Sequence, residues 1–240
     1  MSLRLHVDSA LAAGLELELP SGPARHVQVR RLQPGDALTL FDGRGGEWAA
    51  KVLQMGRQQV RVLVGAHDPV TREAALALTL ALGMPANERM DWLVEKATEL
   101  GVAAIRPLVT ERSVLRLTGE RAERKRAHWR AIAVAAAEQC GRTRVPLLHP
   151  VRALADADAL PSPMQGWVLS FARGAAGPAA LAGTGAAAAE LLLLSGPEGG
   201  LTPAEEARAL ALGLQPLSLG PRVLRAETAP LVALAWLGTA

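Results

Sequence analysis

A buried strand that runs directly into a glycine-rich loop is the feature of this sequence most typical of a ligand site. The apolar run Leu191–Leu194 is followed by Ser195–Gly200, which reads Ser-Gly-Pro-Glu-Gly-Gly. Thr202 is then placed to cap a helix, with Pro203 at its first position and Glu205 completing a capping box. Glycine lets the backbone turn tightly and approach a ligand, and sites in open α/β sheets lie at the carboxyl ends of strands. The pattern predicts a ligand-binding loop, although a glycine turn can also serve chain topology alone.

A second loop of the same kind follows the short apolar segment Leu217–Leu219. It begins with Gly220-Pro221, carries Arg222 and Arg225, and leads into an apolar helix predicted to reach about Leu237. Two arginines on a tight loop suit a polar or anionic substrate. The ordinary alternative is that these arginines pair with Glu198 or Glu227 at the surface.

Several kinds of site and protein are excluded by motif and composition. The loop lacks both the Gly-x-Gly-x-x-Gly dinucleotide fingerprint and the Lys-Ser/Thr pair of a P-loop. Cys140 is the only cysteine, which rules out an internal disulfide, and the five histidines have no ligand spacing, so no metal is predicted. Apolar runs are too short to span a bilayer and the start lacks a signal peptide, so the expected location is cytoplasmic.

Positive charge is concentrated in one part of the chain. Residues 106–144 contain ten Lys/Arg against four Asp/Glu, whereas residues 145–240 contain five against seven. A solvated helix face is one interpretation, and a surface for an RNA phosphate backbone is the other.

Hydrophobic patterning divides the chain into two domains. Residues 1–69 contain short β segments separated by turn residues, which is typical of a small β-barrel. Strands are predicted around Leu3–His6, Ala37–Phe41, Glu47–Gln54 and Gln59–Gly65. Residues 70–240 alternate apolar runs with helical stretches, which predicts an α/β domain with a mainly parallel sheet. Helices are predicted at 88–100, where Trp92 is assigned to core or interface packing, and at 120–139, with an exposed first half and a buried second half.

The two loops and several other motifs resemble one known family. Gly196–Gly200 and Leu219–Ala229 are similar to the signature loops of the bacterial ribosomal RNA small subunit methyltransferase E family, which makes 3-methyluridine and belongs to the SPOUT superfamily. Further matching segments occur in the family's order over nearly the whole chain: His26-Val27 with Arg31 and Gly35-Asp36, Phe41–Gly43, Glu95–Gly101, Thr110–Ser113, and Glu138–Arg142 with Val145-Pro146. One departure is Asn87-Glu88-Arg89, where the family often has a lysine.

The resemblance implies a fold and a cofactor. The expected fold is a PUA-like β-barrel, RNA-binding, over 1–69, followed over 70–240 by an α/β SPOUT domain whose chain forms a deep trefoil knot. The cofactor would be S-adenosylmethionine, the methyl donor, bound in the knot. The residues expected to bind it are Leu194, Ser195, Gly196, Pro197, Glu198, Gly199, Gly200, Leu217, Leu219, Gly220, Val223, Leu224, Arg225, Thr228 and Ala229.

The resemblance also implies partners. The substrate would be small-subunit ribosomal RNA or the 30S subunit, and the protein would be a homodimer, with the helix at 229–237 packed in the knot or against the second subunit. Together with the basic stretch it predicts these RNA-binding residues: Arg31, Arg112, Arg124, Lys125, Arg126 and Arg142.

The chemistry of the implied substrate suggests catalytic residues. Uridine N3 is a poor nucleophile until its imide proton leaves, and the negative charge that then forms is shared with two carbonyl oxygens. Arg225 is the first choice to stabilise this charge, and Glu198 or Glu227 could accept the proton or merely fix the loop. Two rival hypotheses are methylation of another RNA atom, such as a ribose 2′-hydroxyl, and RNA binding without catalysis.

Overall fold

Residue contacts in a computed structural model of the chain separate two compact units. The structure describes residues 2–57, 59–86, 88–161, 165–183 and 190–238. The first unit extends to Glu73 and also contains Ala137–Val145; the second contains Ala74–Ala136 and the chain from Pro146 onward. The division thus lies close to the boundary expected at 69 and 70, and residues 137–145 are the exception to chain order.

The first unit is built on a five-stranded, largely antiparallel sheet. Its elements are β1 (Arg4–His6), β2 (Glu16–Glu18), α1 (Ser21–Val29), β3 (Ala37–Phe41), β4 (Glu47–Met55) and β5 (Val60–Asp68), with strand order β1-β3-β4-β5-β2. In β5, Val60, Val62 and Val64 are buried in alternation with exposed residues, so one face of the strand packs on the core. The predicted strands at β1, β3, β4 and β5 are confirmed, whereas β2 and α1 were not predicted.

Residues 137–145 are bound to the rest of the first unit by a buried ion pair. Arg142 is 4% exposed, and its Nε donates to Glu73 Oε2 over 2.8 Å. Glu73 Oε1 also accepts the backbone N–H groups of Thr143 and Arg144, at 3.2 and 3.1 Å. The expectation that Arg142 contacts RNA is therefore corrected, because its guanidinium is enclosed and committed to Glu73.

We predict that Arg142→Ala lowers the free energy of unfolding by about 3–5 kcal/mol, because removing one partner of a buried pair leaves the other charge uncompensated. Urea denaturation followed by circular dichroism measures this. Arg61→Ala is the matched control, since the Arg61–Glu16 pair is about half exposed and should contribute only about 0–1 kcal/mol. Equal effects of the two substitutions would refute a structural role specific to Arg142.

The second unit is an α/β structure around a parallel sheet. Its elements are β6 (Ala77–Gly83), α2 (Glu88–Glu99), β7 (Ala104–Val109), α3 (Gly119–Cys140, whose end belongs to the first unit), β8 (Leu147–Leu148), β9 (Arg152–Ala153), β10 (Gly166–Leu169), a 3₁₀ helix (Pro178–Gly183), β11 (Glu190–Ser195), α4 (Pro203–Ala211), β12 (Gln215–Leu217) and α5 (Thr228–Gly238). The strand order is β12-β10-β11-β6-β7-β8, all pairs are parallel, and β9 pairs with β7. The predicted alternation of strands and helices is confirmed.

Local signals explain where these helices start and stop. The Thr202 hydroxyl accepts the Glu205 N–H while Glu205 accepts the Thr202 N–H, so the predicted capping box of α4 is confirmed. α3 ends before Gly141, whose φ of +89° suits a helix terminus. Trp92 on α2 is 44% exposed and is not a core residue. Of the helices in the described ranges, none combines the length and the apolar character that crossing a membrane requires.

Candidate active site

The carboxyl ends of three adjacent strands open into a cavity of about 640 Å³. β12, β10 and β11 are parallel neighbours in the sheet, so the loops that follow them meet at one edge. The cavity is lined by Arg89, Arg112, Leu169, Ser170, Phe171, Ala172, Ser195, Gly196, Pro197, Glu198, Gly199, Gly200, Leu201, Glu206, Leu217, Leu219, Gly220, Arg222, Val223, Leu224, Arg225, Ala226 and Ala229.

The loop after β11 is folded tightly on itself. A Cβ at Gly196 would lie 2.7 Å from the backbone nitrogen of Leu201, so no larger residue fits there without moving the chain. Gly200 has a φ of +69°, which favours glycine, and its missing side chain leaves open space. Arg112 holds the loop from outside, with its Nη1 donating to the carbonyls of Gly199 and Leu201 at 2.9 and 3.3 Å. The loop therefore presents a fixed backbone surface to the cavity.

The loop after β12 presents two arginines and starts the last helix. The Arg225 carbonyl accepts the N–H groups of Thr228 and Ala229, which begins α5. The side chains of Arg222 and Arg225 are exposed at the cavity. Within the described part of the chain, neither guanidinium has a hydrogen bond or ion pair. The alternative in which these arginines pair with Glu198 or Glu227 is thus wrong for this structure, and both cations are available to a ligand.

The two candidate carboxylates are both associated with Arg89. Glu198 Oε1 accepts the Ala86 N–H at 3.0 Å and the Arg89 Nη1 at 3.2 Å. Glu227 is 9% exposed, its Oε1 lies 3.9 Å from Arg89 Nε, and its Oε2 has no hydrogen-bond partner among the residues described. Both carboxylates therefore lie near the same cation, the Arg89 guanidinium at the cavity wall.

The loop after β10 was not identified from the sequence. The Ser170 hydroxyl donates to Glu206 on α4 and accepts the Ala172 N–H at 2.9 Å, which fixes the backbone on both sides of Phe171. Phe171 is 71% exposed and is one of two phenylalanines in the chain. The sequence signal that could have identified this loop is an aromatic residue, Phe171, just after the apolar run of β10.

Comparison with known proteins identifies the family. The sequence profile described as the RNA methyltransferase domain matches residues 72–238, and the profile described as the RNA methyltransferase PUA domain matches residues 24–65. The ribosomal RNA small subunit methyltransferase E of Bacillus subtilis is 33% identical over 220 residues, which cover 87% of this chain and 83% of that protein. The chain belongs to the ribosomal RNA small subunit methyltransferase E family.

Two solved structures agree with this assignment. A ribosomal RNA small subunit methyltransferase E from Neisseria gonorrhoeae, bound to S-adenosylmethionine, is 35% identical with a TM-score of 0.91. A methyltransferase from Legionella pneumophila, in complex with the same cofactor, is 33% identical with a TM-score of 0.92. Both matches cover 100% of this chain and 98% of the other. This member of the ribosomal RNA small subunit methyltransferase E family thus combines a PUA-like domain with a parallel-sheet α/β methyltransferase domain.

The structure of this ribosomal RNA small subunit methyltransferase E relative brings together most of the residues expected to bind the cofactor. Thirteen line the cavity: Ser195, Gly196, Pro197, Glu198, Gly199, Gly200, Leu217, Leu219, Gly220, Val223, Leu224, Arg225 and Ala229. Leu194 lies instead in the hydrophobic core, and neither Thr228 nor Glu227 is among the lining residues, although both lie between Ala226 and Ala229, which are. Arg89, Arg112, Ser170, Phe171 and Glu206 are lining residues that the sequence had not assigned to the cofactor.

The residues expected to contact RNA fall into different environments. Arg112 is committed to the loop after β11. Arg31, exposed with a φ of +56°, lies in the first unit. Arg124 and Arg126 on α3 are paired at 3.2 Å with Glu120 and Glu123, and Lys125 lies between them, partly buried. No group of three potential metal ligands occurs in the described ranges.

His149 lies close to two cations of the second unit, Arg106 and Arg126. Burial lowers the pKa of His149, and the positive charges of Arg106 and Arg126 lower it further. The same charges that disfavour a protonated histidine would favour a phosphate group. Arg106 and Arg126 are 20 positions apart in the sequence, and the charge count could not show that both act on His149.

Proposed function

We propose that this protein transfers a methyl group from S-adenosylmethionine to N3 of a uridine in small-subunit (16S) ribosomal RNA. The observation that carries the proposal is the three-loop cavity, in a member of a family whose solved relatives hold S-adenosylmethionine. Family membership supports the RNA substrate, and the unpaired Arg222 and Arg225 at the cavity support a nucleobase that becomes negatively charged when it loses a proton. We propose the cytoplasm as the site of action, because ribosomal RNA is there.

The cavity fits the proposed donor. Its volume of about 640 Å³ lies within the range of about 300–1,000 Å³ typical of small-molecule sites. Gly200 and Gly220 leave open space where a side chain would stand, so a ligand can approach the backbone there, while Leu217 and Leu224 supply an apolar wall. The loops over 195–200 and 217–225 would hold the donor. When bound, S-adenosylmethionine supplies an electrophilic methyl group on a sulfonium sulfur.

The protein's own residues would prepare the nucleophile. Deprotonation of uridine N3 creates a negative charge shared with the two flanking carbonyl oxygens, and the unpaired guanidinium of Arg225 is available to stabilise it. Glu198 lines the cavity and is our proposed proton acceptor, since only its Oε1 is engaged by Ala86 and Arg89. Glu227 is buried, does not line the cavity and lies 3.9 Å from Arg89 Nε, so it would orient Arg89.

Three further family features complete the proposal. We propose that the loops at 194–200 and 217–229 form the deep trefoil knot of the SPOUT superfamily and that the protein acts as a homodimer. α2 and α5 pack against each other, and Trp92 and Trp236 on them are 44% and 51% exposed. Such large apolar side chains are suited to a subunit interface. We further propose that residues 1–69, as the PUA-like domain, contribute to RNA binding.

The proposed RNA surface includes Arg124, Lys125 and Arg126. We predict that replacing all three with glutamine weakens RNA binding and makes the slope of log affinity against log salt shallower by about 2 to 3, because fewer counterions are released. Filter binding at several salt concentrations measures the slope. The double variant Glu120→Gln/Glu123→Gln removes the paired carboxylates and should change affinity in the opposite direction. An unchanged slope in the triple variant would return this cluster to a solvated helix face.

The proposed function is tested in cells. Ribosomal RNA from a strain lacking this protein should lack 3-methyluridine in the small subunit, and expression of the protein should restore it. Mass spectrometry of nuclease digests separates base methylation from methylation of a ribose 2′-hydroxyl. Loss of a 2′-O-methyl nucleoside, or no change in any nucleoside, would refute the proposal.

A further inference from the structure

We propose that Phe171 is the stacking platform on which the target base rests after it leaves the RNA stack. This inference rests on the proposed function and adds to it a residue that recognises the substrate. Phe171 is the one aromatic residue among the described residues that line the cavity, and its side chain is 71% exposed there. The chain's other phenylalanine, Phe41, is fully buried in the first unit.

The position of Phe171 in the sheet places it between the other two loops. β10 lies between β11 and β12, so the loop after β10 is flanked by the glycine loop and by the arginine loop. A group held against Phe171 would therefore stand next to both. The exposed ring faces solvent at the cavity, where a macromolecular substrate can reach it.

The exposure of Phe171 is not the result of a loosely held loop. Ser170 N–H donates to the Leu217 carbonyl at 2.9 Å, and the Ser170 hydroxyl bonds to both Glu206 and the Ala172 N–H. Further along, Ala176 N–H donates to the Pro216 carbonyl at 2.9 Å. The backbone is thus anchored to β12 and α4 while an apolar ring remains unburied. Because the backbone around Phe171 is already fixed, a planar group can stack on the exposed ring without further ordering of the loop.

The chemistry of the reaction calls for such a partner. An enzyme that modifies a base edge must take the base out of its stack, and RNA-binding proteins replace the lost stacking with aromatic side chains. A phenyl ring accepts either face of a uracil, and Arg222 and Arg225 on the adjacent loop can meet its carbonyl oxygens. Backbone and aliphatic groups of the other loops already provide the surface proposed for the donor, which leaves Phe171 for the RNA.

Three substitutions separate stacking from simple apolar contact. The methylation rate is measured with saturating S-adenosylmethionine and limiting small-subunit RNA. Phe171→Ala and Phe171→Leu should each lower this rate by a factor of about 5 to about 150, which is the effect expected when a protein loses the stacking of one base on an aromatic ring. Phe171→Tyr should stay close to wild type, because it keeps the ring. The affinity for S-adenosylmethionine, measured by calorimetry, should be unchanged in all three. Leu210→Ala, an exposed apolar side chain on α4 outside the cavity lining, is the control for surface truncation.

A failure of the stacking proposal can be distinguished from a failure of the proposed function. Product analysis of the wild-type protein tests the reaction itself. The RNA affinity of the same variants tests the stacking role of Phe171 even if no methyl group is transferred. A Phe171→Leu variant as active and as tightly bound as wild type would overturn the proposal. A parallel fall in donor affinity would also overturn it, by making Phe171 part of the donor site, and so would equal losses in Phe171→Tyr and Phe171→Ala.

Discussion

Replacing Arg225 with alanine should lower the single-turnover rate of methyl transfer on the order of 10²-fold or more, while donor affinity changes little. The guanidinium lines the cavity and has no partner among the described residues, so it is not needed to hold the loop. Its removal would take away one of the two unpaired guanidinium groups of this loop, the one proposed to stabilise the developing uridine anion. Rapid-quench measurement with saturating donor and saturating RNA gives the rate.

Arg112→Ala is the matched control for Arg225→Ala. Arg112 donates to the carbonyls of Gly199 and Leu201, so its loss should weaken donor binding, and saturating donor should restore most of the rate. Arg225→Lys refines the result, because an ammonium keeps the charge but cannot donate two parallel hydrogen bonds. Full activity of Arg225→Ala at limiting donor and limiting RNA would remove Arg225 from the mechanism.

Replacing Gly200 with valine should weaken donor binding by about 10²-fold or more while leaving the protein folded. Gly200 has a φ of +69° with nothing within 4 Å of an added Cβ, so the main costs are backbone strain and a side chain at the cavity surface. A β-branched residue rarely adopts this conformation, and the loop must shift to accommodate it. Calorimetric titration with S-adenosylmethionine measures the loss, and circular dichroism confirms folding.

Gly14→Val controls for the strain itself. Gly14 has a φ of +83° with nothing within 4 Å of an added Cβ, and it belongs to the first unit, outside the cavity lining. The same type of substitution there should leave donor affinity unchanged. Normal donor affinity in a folded Gly200→Val variant would mean that the donor does not use this loop.

The features that sequence predicted well are those set by nearby residues. Thr202 and Glu205 are three positions apart, so their capping box could be recognised without tertiary information. The same holds for the strand at Leu191–Leu194 and the glycine loop after it. Parallel strands place their carboxyl ends at one edge of the sheet. The sequence could therefore also predict that the loops after β11 and β12 line one cavity.

Features that depend on distant pairs were beyond sequence analysis. Nothing in the chain order indicates that β10 lies between β11 and β12, so Phe171 and Ser170 could not be placed at the site. Arg142 and Glu73 are 69 positions apart, and Arg112 and Gly199 are 87 apart. A charge count treats all arginines in residues 106–144 alike. In the structure, Arg142 is a buried partner of Glu73, whereas Arg112 supports the cavity loop after β11.

The most direct test of the central claim is a reaction of the purified protein with S-adenosylmethionine carrying an isotopically labelled methyl group. The substrates are small-subunit RNA and intact small subunits from a strain lacking this protein, and the products are digested to nucleosides for mass spectrometry. We predict that the label appears in 3-methyluridine with at least one of the two substrates. Label in any other nucleoside, or no transfer to either substrate, would contradict it.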